Sequence, residues 1–206
     1  MERYMKEVMR ESETCLENLR HADTSKRSVD TSTWKEFLIE DLFEKLELKF
    51  IPKREFNKAL DISENQSLEY DLPLVNAKHS NNGIMYYGRS AEWESASMAI
   101  DIVADGAAST GDVYGQPQKT GVLYNAYLVK AKAPNITEPI LFFLATVIEK
   151  CVKNYFGYEN KCTWDKVKQR TISLPVDATG APDWAYMECY MSAMLRESQT
   201  RLECLR

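Results

Sequence analysis

The first and last twenty residues of this chain are copies of one another. Residues 1–20 read MERYMKEVMRESETCLENLR, residues 187–206 read MECYMSAMLRESQTRLECLR, and 12 of the 20 positions are identical at an offset of 186 residues. An internal repeat at the two ends, with unrelated sequence between, marks one period and a little overlap of a repeating design. In each copy the apolar residues (Met1, Met5, Met9, Leu16, Leu19; Met187, Met191, Leu195, Leu202, Leu205) follow steps that place them along one face of a helix. Neither copy contains Gly or Pro, and Pro182-Asp183 supplies a start signal for the second. A twenty-residue helix is a rod of roughly 30 Å. One with a single apolar stripe is marginal alone in water. Met5, Met9, Leu16 and Leu19 are therefore expected to pair with Met191, Leu195, Leu202 and Leu205, antiparallel and coiled-coil-like, within a chain or between two. The plainer reading, two ordinary core helices, stays open.

Between the copies lies enough chain for one globular body. Residues 23–33 are polar and read as a connection, and the body runs over 34–176 between terminal helices at 1–22 and 183–206. Trp34 to Ile39 predicts a short strand turning into a short helix, with apolar positions through Phe43 and Leu46. Residues 53–69 predict a loop or a short helix. Strands are expected from Leu72 to Val75, Ile84 to Gly88, Met98 to Val103, at Val113-Tyr114, within Val122 to Val129, and from Ile172 to Val176. Ile140 to Tyr155 predicts a helix with Leu141, Leu144, Ala145, Ile148 and Val152 on its buried face. The fold class expected is α+β: many short strands, few helices, and a long helix at each end.

The catalytic motifs are missing. There is no GxGxxG, phosphate-binding loop, HExxH or GxSxG, no Asn-Pro-Pro-Tyr type tetrapeptide, and no acidic-x-Lys after Pro182-Asp183. Two His (His21, His79) argue against a His-based metal site or triad. The five Cys show no CxxC spacing and read as reduced thiols, as in the cytoplasm. No apolar run is long enough for a membrane span, and the polar N-terminus is no signal peptide. No catalysis, cofactor, metal or membrane contact is expected of the chain.

Binding signals are better. Lys78, His79, Ser80, Asn81 and Asn82 form a dense run of hydrogen-bonding side chains at an expected strand-to-strand turn. Ser109, Thr110, Gln116, Gln118 and Lys119 form a second run around Gly111 and Gly115. Asn and Gln pair with adenine edges, Lys with guanine, and Ser serves either. Lys150, Lys153, Lys161, Lys166, Lys168 and Arg170 form a basic run interleaved with Tyr155, Tyr158 and Trp164, of which Lys161, Lys166, Lys168 and Arg170 are expected to hold phosphates. The competing readings are a polar turn and a solvated helix face, and the net charge of −5 weighs mildly on their side.

In order and spacing these segments resemble a known family. The residues concerned are Trp34-Lys35-Glu36-Phe37 with Asp41-Leu42-Phe43; Ala77 to Ile84; Gly106 to Gly111; Ile172 to Val176; and Gly180, Pro182-Asp183 and Tyr186-Met187-Glu188. The chain is similar to a target recognition domain, with its conserved helices, of the specificity subunit of type I restriction-modification systems and of related systems that cut on both sides of their site. The resemblance implies two recognition domains per full subunit, each reading half of a split double-stranded DNA site. Two antiparallel helices would act as a ruler between them and bind methyltransferase subunits, and through those the restriction subunits. It leaves open a half-subunit that forms a homodimer through its terminal helices, or part of a longer subunit. Two other readings remain: a protein-interaction scaffold that binds no DNA, and the recognition region of a fused methyltransferase or nuclease.

Overall fold

The computed structural model describes residues 29–50, 54–157 and 159–203. The expected first helix with Met5, Met9, Leu16 and Leu19 lies outside these residues, as does Leu205. Among the described residues ten short strands and five α-helices follow in order: β1 (Lys35–Leu38), α1 (Ile39–Leu42), β2 (Phe43–Lys45), α2 (Lys58–Asp61), β3 (Ile62–Ser63), β4 (Leu72–Val75), β5 (Ile84–Gly88), β6 (Ala99–Val103), β7 (Val113–Gln116), β8 (Gly121–Val122), β9 (Ala126–Ala131), α3 (Glu138–Val152), α4 (Trp164–Val167), β10 (Thr171–Leu174) and α5 (Trp184–Glu203). The fold is α+β.

The centre is an antiparallel sheet in the order β2-β9-β6-β7. Its middle strand β6 is buried at every position. Side chains of a strand alternate between faces, and here each face has a cover. Ile100 and Ile102 join the core formed with α3, whereas Ala99 packs with Val75 and Leu128, against Ile84 and Val122 of a second sheet. That second sheet has the order β3-β5-β4-β8, with β4 and β8 parallel. The alternation therefore places Asp101, between Ile100 and Ile102, in the interior with no exposure at all.

Helix α3 begins with Pro in its first turn and an acidic Glu138 beside the positive end of the helix dipole. Leu141, Leu144, Ala145, Ile148 and Val152, the face expected from spacing, are all buried. Full burial of each large apolar side chain contributes about 1.5–3 kcal/mol. The ribbon β1–β10 closes one flank of this core with Ile172 and Leu174.

Helix α5 starts where the sequence signals: the Asp183 carboxylate accepts from the Tyr186 N–H at 2.9 Å. Its first turns dock on α3, with Met187 fully buried and Tyr190 edge-on to Phe143 at 6.0 Å. Met191 is half-buried against the same core. Beyond it the stripe emerges, with Met194, Leu195 and Leu202 exposed. Within the described residues the second copy is thus docked on the core around Met187 and exposed at Met194, Leu195 and Leu202.

The small sheet is anchored by an ionic cluster. Asp61 is fully buried, pairs with Arg54, and takes Arg89 at 3.3 Å and the Asn57 N–H at 2.5 Å. Arg89 also reaches Glu92 at 2.6 Å and the Leu60 carbonyl at 2.7 Å. Asp61→Ala takes one anionic partner from Arg89, which is one-fifth exposed and keeps Glu92 and the Leu60 carbonyl, and leaves the Asn57 N–H without its acceptor, while Arg54, nearly half exposed, recovers solvent. The expected loss is about 2 kcal/mol, between the costs of breaking a buried pair and a surface pair. Burial pushes the Asp61 carboxyl up, but the Arg54 hydrogen bond, the Asn57 N–H and the two guanidinium charges leave it below the ordinary carboxylate value. A depressed acid stabilises the fold above its unfolded value and loses that contribution as pH falls through its folded value. In urea titrations the gap between wild type and Asp61→Ala should therefore close in acid; a gap independent of pH would contradict this.

Candidate nucleic-acid interface

Strand β4 is followed by Asn76, whose buried side chain ties three segments together. Its Oδ1 accepts from the Asn125 N–H at 3.1 Å, its Nδ2 faces Met85 Sδ at 3.5 Å, and its backbone N–H donates to the Gly83 carbonyl at 3.2 Å. The turn this closes is unusual in its backbone. Ser80, Asn81, Asn82 and Gly83 have φ of 72°, 48°, 53° and 75°, a run of left-handed residues. Gly and Asn tolerate this region. Ser80, with ψ −173°, sits where essentially only Gly is at ease. Such a residue costs about 1–3 kcal/mol and persists where its surroundings over-determine it.

The surroundings here come from β7. The Ser80 N–H donates to the Tyr114 hydroxyl at 3.0 Å. The Asn82 amide donates to Gln116 Oε1 at 3.1 Å and the Gly115 carbonyl at 3.3 Å, and Gln116 Nε2 returns a bond to the Asn82 carbonyl at 2.8 Å. The Asn81 amide donates to the Ile84 carbonyl at 3.0 Å. The two polar runs of the sequence are thus one structure: the second run holds the first.

Behind the turn lies Asp112, with a side chain only 2% exposed. It receives His79 Nδ1 at 2.8 Å on one oxygen and the Lys153 ammonium on the other. Lys153 also donates to the Ala108 carbonyl at 3.3 Å, which fastens the 106–112 loop to the end of α3. Gly111 (φ 79°) lies so close that a Cβ there would meet Lys153 Cα at 3.1 Å. Beneath Gly83 lies Asp101, whose two carboxyl oxygens have no hydrogen-bond partner. Burial, with the nearby Asp112 charge adding to it, pushes the Asp101 carboxyl well above its ordinary value, so the side chain is held as the neutral acid.

Of the turn residues, His79, Ser80, Asn81 and Asn82 are exposed and Lys78 is half-buried. Gln118 and Lys119 are exposed on the β7–β8 connection, where they line a cleft of about 440 Å³ with Pro73, Ile84 and Tyr87. Three expected contact residues change role. Ser109, Thr110 and Gln116 are buried at 4%, 5% and 2% exposure. The Thr110 hydroxyl donates to the Gly106 carbonyl at 2.6 Å and Gln116 exchanges bonds with Asn82, so these two brace the loops, while Ser109 is simply buried.

Lys161, Lys166, Lys168 and Arg170 of the basic run each have a partner within the protein. Lys161 pairs with Asp105 at 2.5 Å, Lys166 donates to the Asn160 side chain at 2.8 Å, and Lys168 pairs with Asp165 at 2.7 Å. Arg170 lies 3.9 Å over the Tyr155 ring and bonds Cys151 Sγ at 3.2 Å. Lys166 and Arg170 meet the same segment, since the Asn160 amide that takes Lys166 donates to the Tyr155 carbonyl at 3.4 Å. Sequence reasoning missed Asp112, Tyr114 and Asp101 as parts of the site and put Lys153 in the basic run rather than at the turn. Their partners lie too far along the chain for any local pattern to show, as with the 33 residues from His79 to Asp112. Cys162 is buried, which with the nearby Cys151 pushes its thiol up to about 12 against the opposing Tyr127 hydrogen bond. Among the described residues no helix is long and apolar enough to cross a membrane.

Residues 31–203 match the family described as the Type I restriction modification DNA specificity domain. The specificity subunit S.BcgI of a type II restriction enzyme from Heyndrickxia coagulans is 25% identical over 169 residues, covering 82% of this chain and 45% of that protein. The type I restriction-modification S subunit from M. genitalium has a similar fold, at TM-score 0.54 and 14% identity, covering 84% of this chain and 43% of that one. The HsdS subunit from Thermoanaerobacter tengcongensis does too, at TM-score 0.52 and 10% identity, covering 100% and 50%. The chain spans about half the length of these relatives.

Proposed function

Because the chain belongs to the type I restriction modification DNA specificity domain family, we propose that it is a non-catalytic module that reads one half of a split site in double-stranded DNA. The body over residues 34–176 is the reader. The helices at 1–22 and 183–206 set its spacing from a second reader and dock methyltransferase subunits, which supply the chemistry. The observation that carries this reading is the left-handed turn from Ser80 to Gly83. A strained backbone held by a buried network, with His79, Ser80 and Asn81 exposed at its tip, is a rigid device for presenting hydrogen-bonding groups. The exposed apolar residues Leu195 and Leu202 in the second half of α5 support a partner for this helix.

Base contacts are assigned to His79, Ser80, Asn81 and Gln118, and phosphate contacts to Lys78 and Lys119 on either side. Lys119→Ala should weaken binding to all sequences alike and flatten the dependence of log affinity on log salt by about 1. A loss confined to one sequence would contradict the phosphate role. The reading as a whole is tested by selection from random duplex DNA, with the chain alone and with a methyltransferase partner. A short enriched motif supports it, and two motif copies at fixed spacing support the helical ruler. Partner binding without DNA affinity replaces it with the scaffold.

A further inference from the structure

The turn carries one side chain whose hydrogen-bonding sense is set from behind. His79 has a side chain 69% exposed, yet its Nδ1 lies 2.8 Å from the Oδ2 of an Asp112 only 2% exposed. An ionised carboxylate only accepts hydrogen bonds. Asp112 carries the Lys153 ammonium on its other oxygen, so it is in the accepting form. The hydrogen between ring and carboxylate therefore belongs to Nδ1. In the neutral imidazole the opposite nitrogen, Nε2, is then a bare acceptor. The ring stands at the tip of a turn whose backbone is fixed by Tyr114 and Gln116, so it has little freedom to present anything else.

In the major groove the hydrogen-bond donors of the bases are the exocyclic amino groups, N6 of adenine and N4 of cytosine; guanine and thymine present acceptors there. An acceptor nitrogen fits the first pair and is repelled by the second. We propose that Asp112, backed by Lys153, is a positioning residue that holds His79 as an outward acceptor, and that His79 thereby selects a base bearing an amino group at one position of the recognised site. This rests on the DNA-recognition reading and adds to it the chemical class of the base read.

The test uses the full chain, with its methyltransferase partner where selection requires one. Selection with the wild type gives the motif, and selection with His79→Ala identifies the position that loses its preference. Because His79 is exposed and its loss opens no core, this variant keeps the fold, which a matching thermal melt checks. Duplexes are then made in which the amino-bearing base at that position is replaced by an analogue lacking the exocyclic amino group. Deleting the amino group should weaken wild-type binding by about three- to tenfold, the yield of one hydrogen bond, and should leave His79→Ala binding unchanged. Asp112→Asn should shift the preference at the same position, because a carboxamide can donate to Nδ1 and turn Nε2 into a donor. Equal loss in wild type and His79→Ala, or a His79→Ala motif unchanged at every position, overturns the inference while the recognition reading stands. A wild type that enriches no motif, alone or with its partner, overturns both.

Discussion

Asp101→Asn should be progressively more stable than wild type as pH rises, the gap widening by about 1.4 kcal/mol for each pH unit above about 4. The side chain is fully buried, both its oxygens lack partners, and its neighbour Asp112 is charged. In the unfolded chain the carboxyl ionises near its ordinary value of about 3.9. In the folded chain burial, and after it the Asp112 charge, holds it protonated to a far higher pH. Between those two values the folded state binds the extra proton, so wild-type stability falls as pH rises, and the fall stops once the folded value is passed. Asparagine has nearly the same shape and no charge to lose, so the variant lacks this slope. Other carboxylates, Asp61 among them, titrate alike in both proteins and cancel from the difference. The check is urea unfolding of both proteins across a pH series. A constant gap would mean that Asp101 ionises in the fold as it does outside it. The expected direction also explains how a buried acid is accommodated under the turn: in the fold it stays a neutral, small polar filler, and its cost grows with pH from about 4 up to its folded value.

What the sequence disclosed depended on the range of the interaction. Spacing alone identified the buried face of α3, because an amphipathic helix repeats its signal over four turns. Apolar runs and turn residues identified β4, the turn after it, and β5. Helix α4 escaped, since four residues (Trp164–Val167) carry no periodicity. The β-rich stretch from Val122 to Val129 proves to be β8 and β9 parted by a turn, where Asn125 donates its N–H to Asn76 across 49 residues of chain. The candidate site divides in the same way. Composition located both polar runs but could not tell a side chain offered outward from one spent on the protein. Asn82 and Gln116 have the chemistry of base readers and use it on each other. Lys153 reads as one more cation of a basic run, and only the fold shows it beneath Asp112, 41 residues away. The repeat was legible at once as a repeat. That its second copy is docked around Met187 and exposed around Leu202 depends on its packing against α3, which no feature of the repeat encodes.

Gly83→Val should cost about 4 kcal/mol and erase base preference at the turn. Two penalties add. A β-branched residue at φ 75° pays the left-handed penalty, roughly 1–2 kcal/mol or more. Its Cβ would also lie 2.4 Å from Asp101 Oδ2 and 3.0 Å from the Tyr114 ring. Overpacking of this kind costs about 1–3 kcal/mol. Neither neighbour can yield freely: Asp101 is enclosed in the central strand, and the Tyr114 hydroxyl holds the Ser80 N–H. The turn must therefore lift, which breaks the Asn82–Gln116 exchange and the bond from Asn76 to the Gly83 carbonyl. Gly83→Ala removes the branching and part of the clash, so it should fall between wild type and Val in both stability and selectivity. Combining Asp101→Ala with Gly83→Ala removes the atom that the new Cβ meets and should recover part of the loss. That recovery, read by denaturant unfolding, distinguishes a local clash from general intolerance at the position. If Gly83→Val keeps the wild-type motif in random-duplex selection at full strength, the left-handed turn is not the element that reads the bases, and the assignment moves to the β7–β8 connection with Gln118 and Lys119.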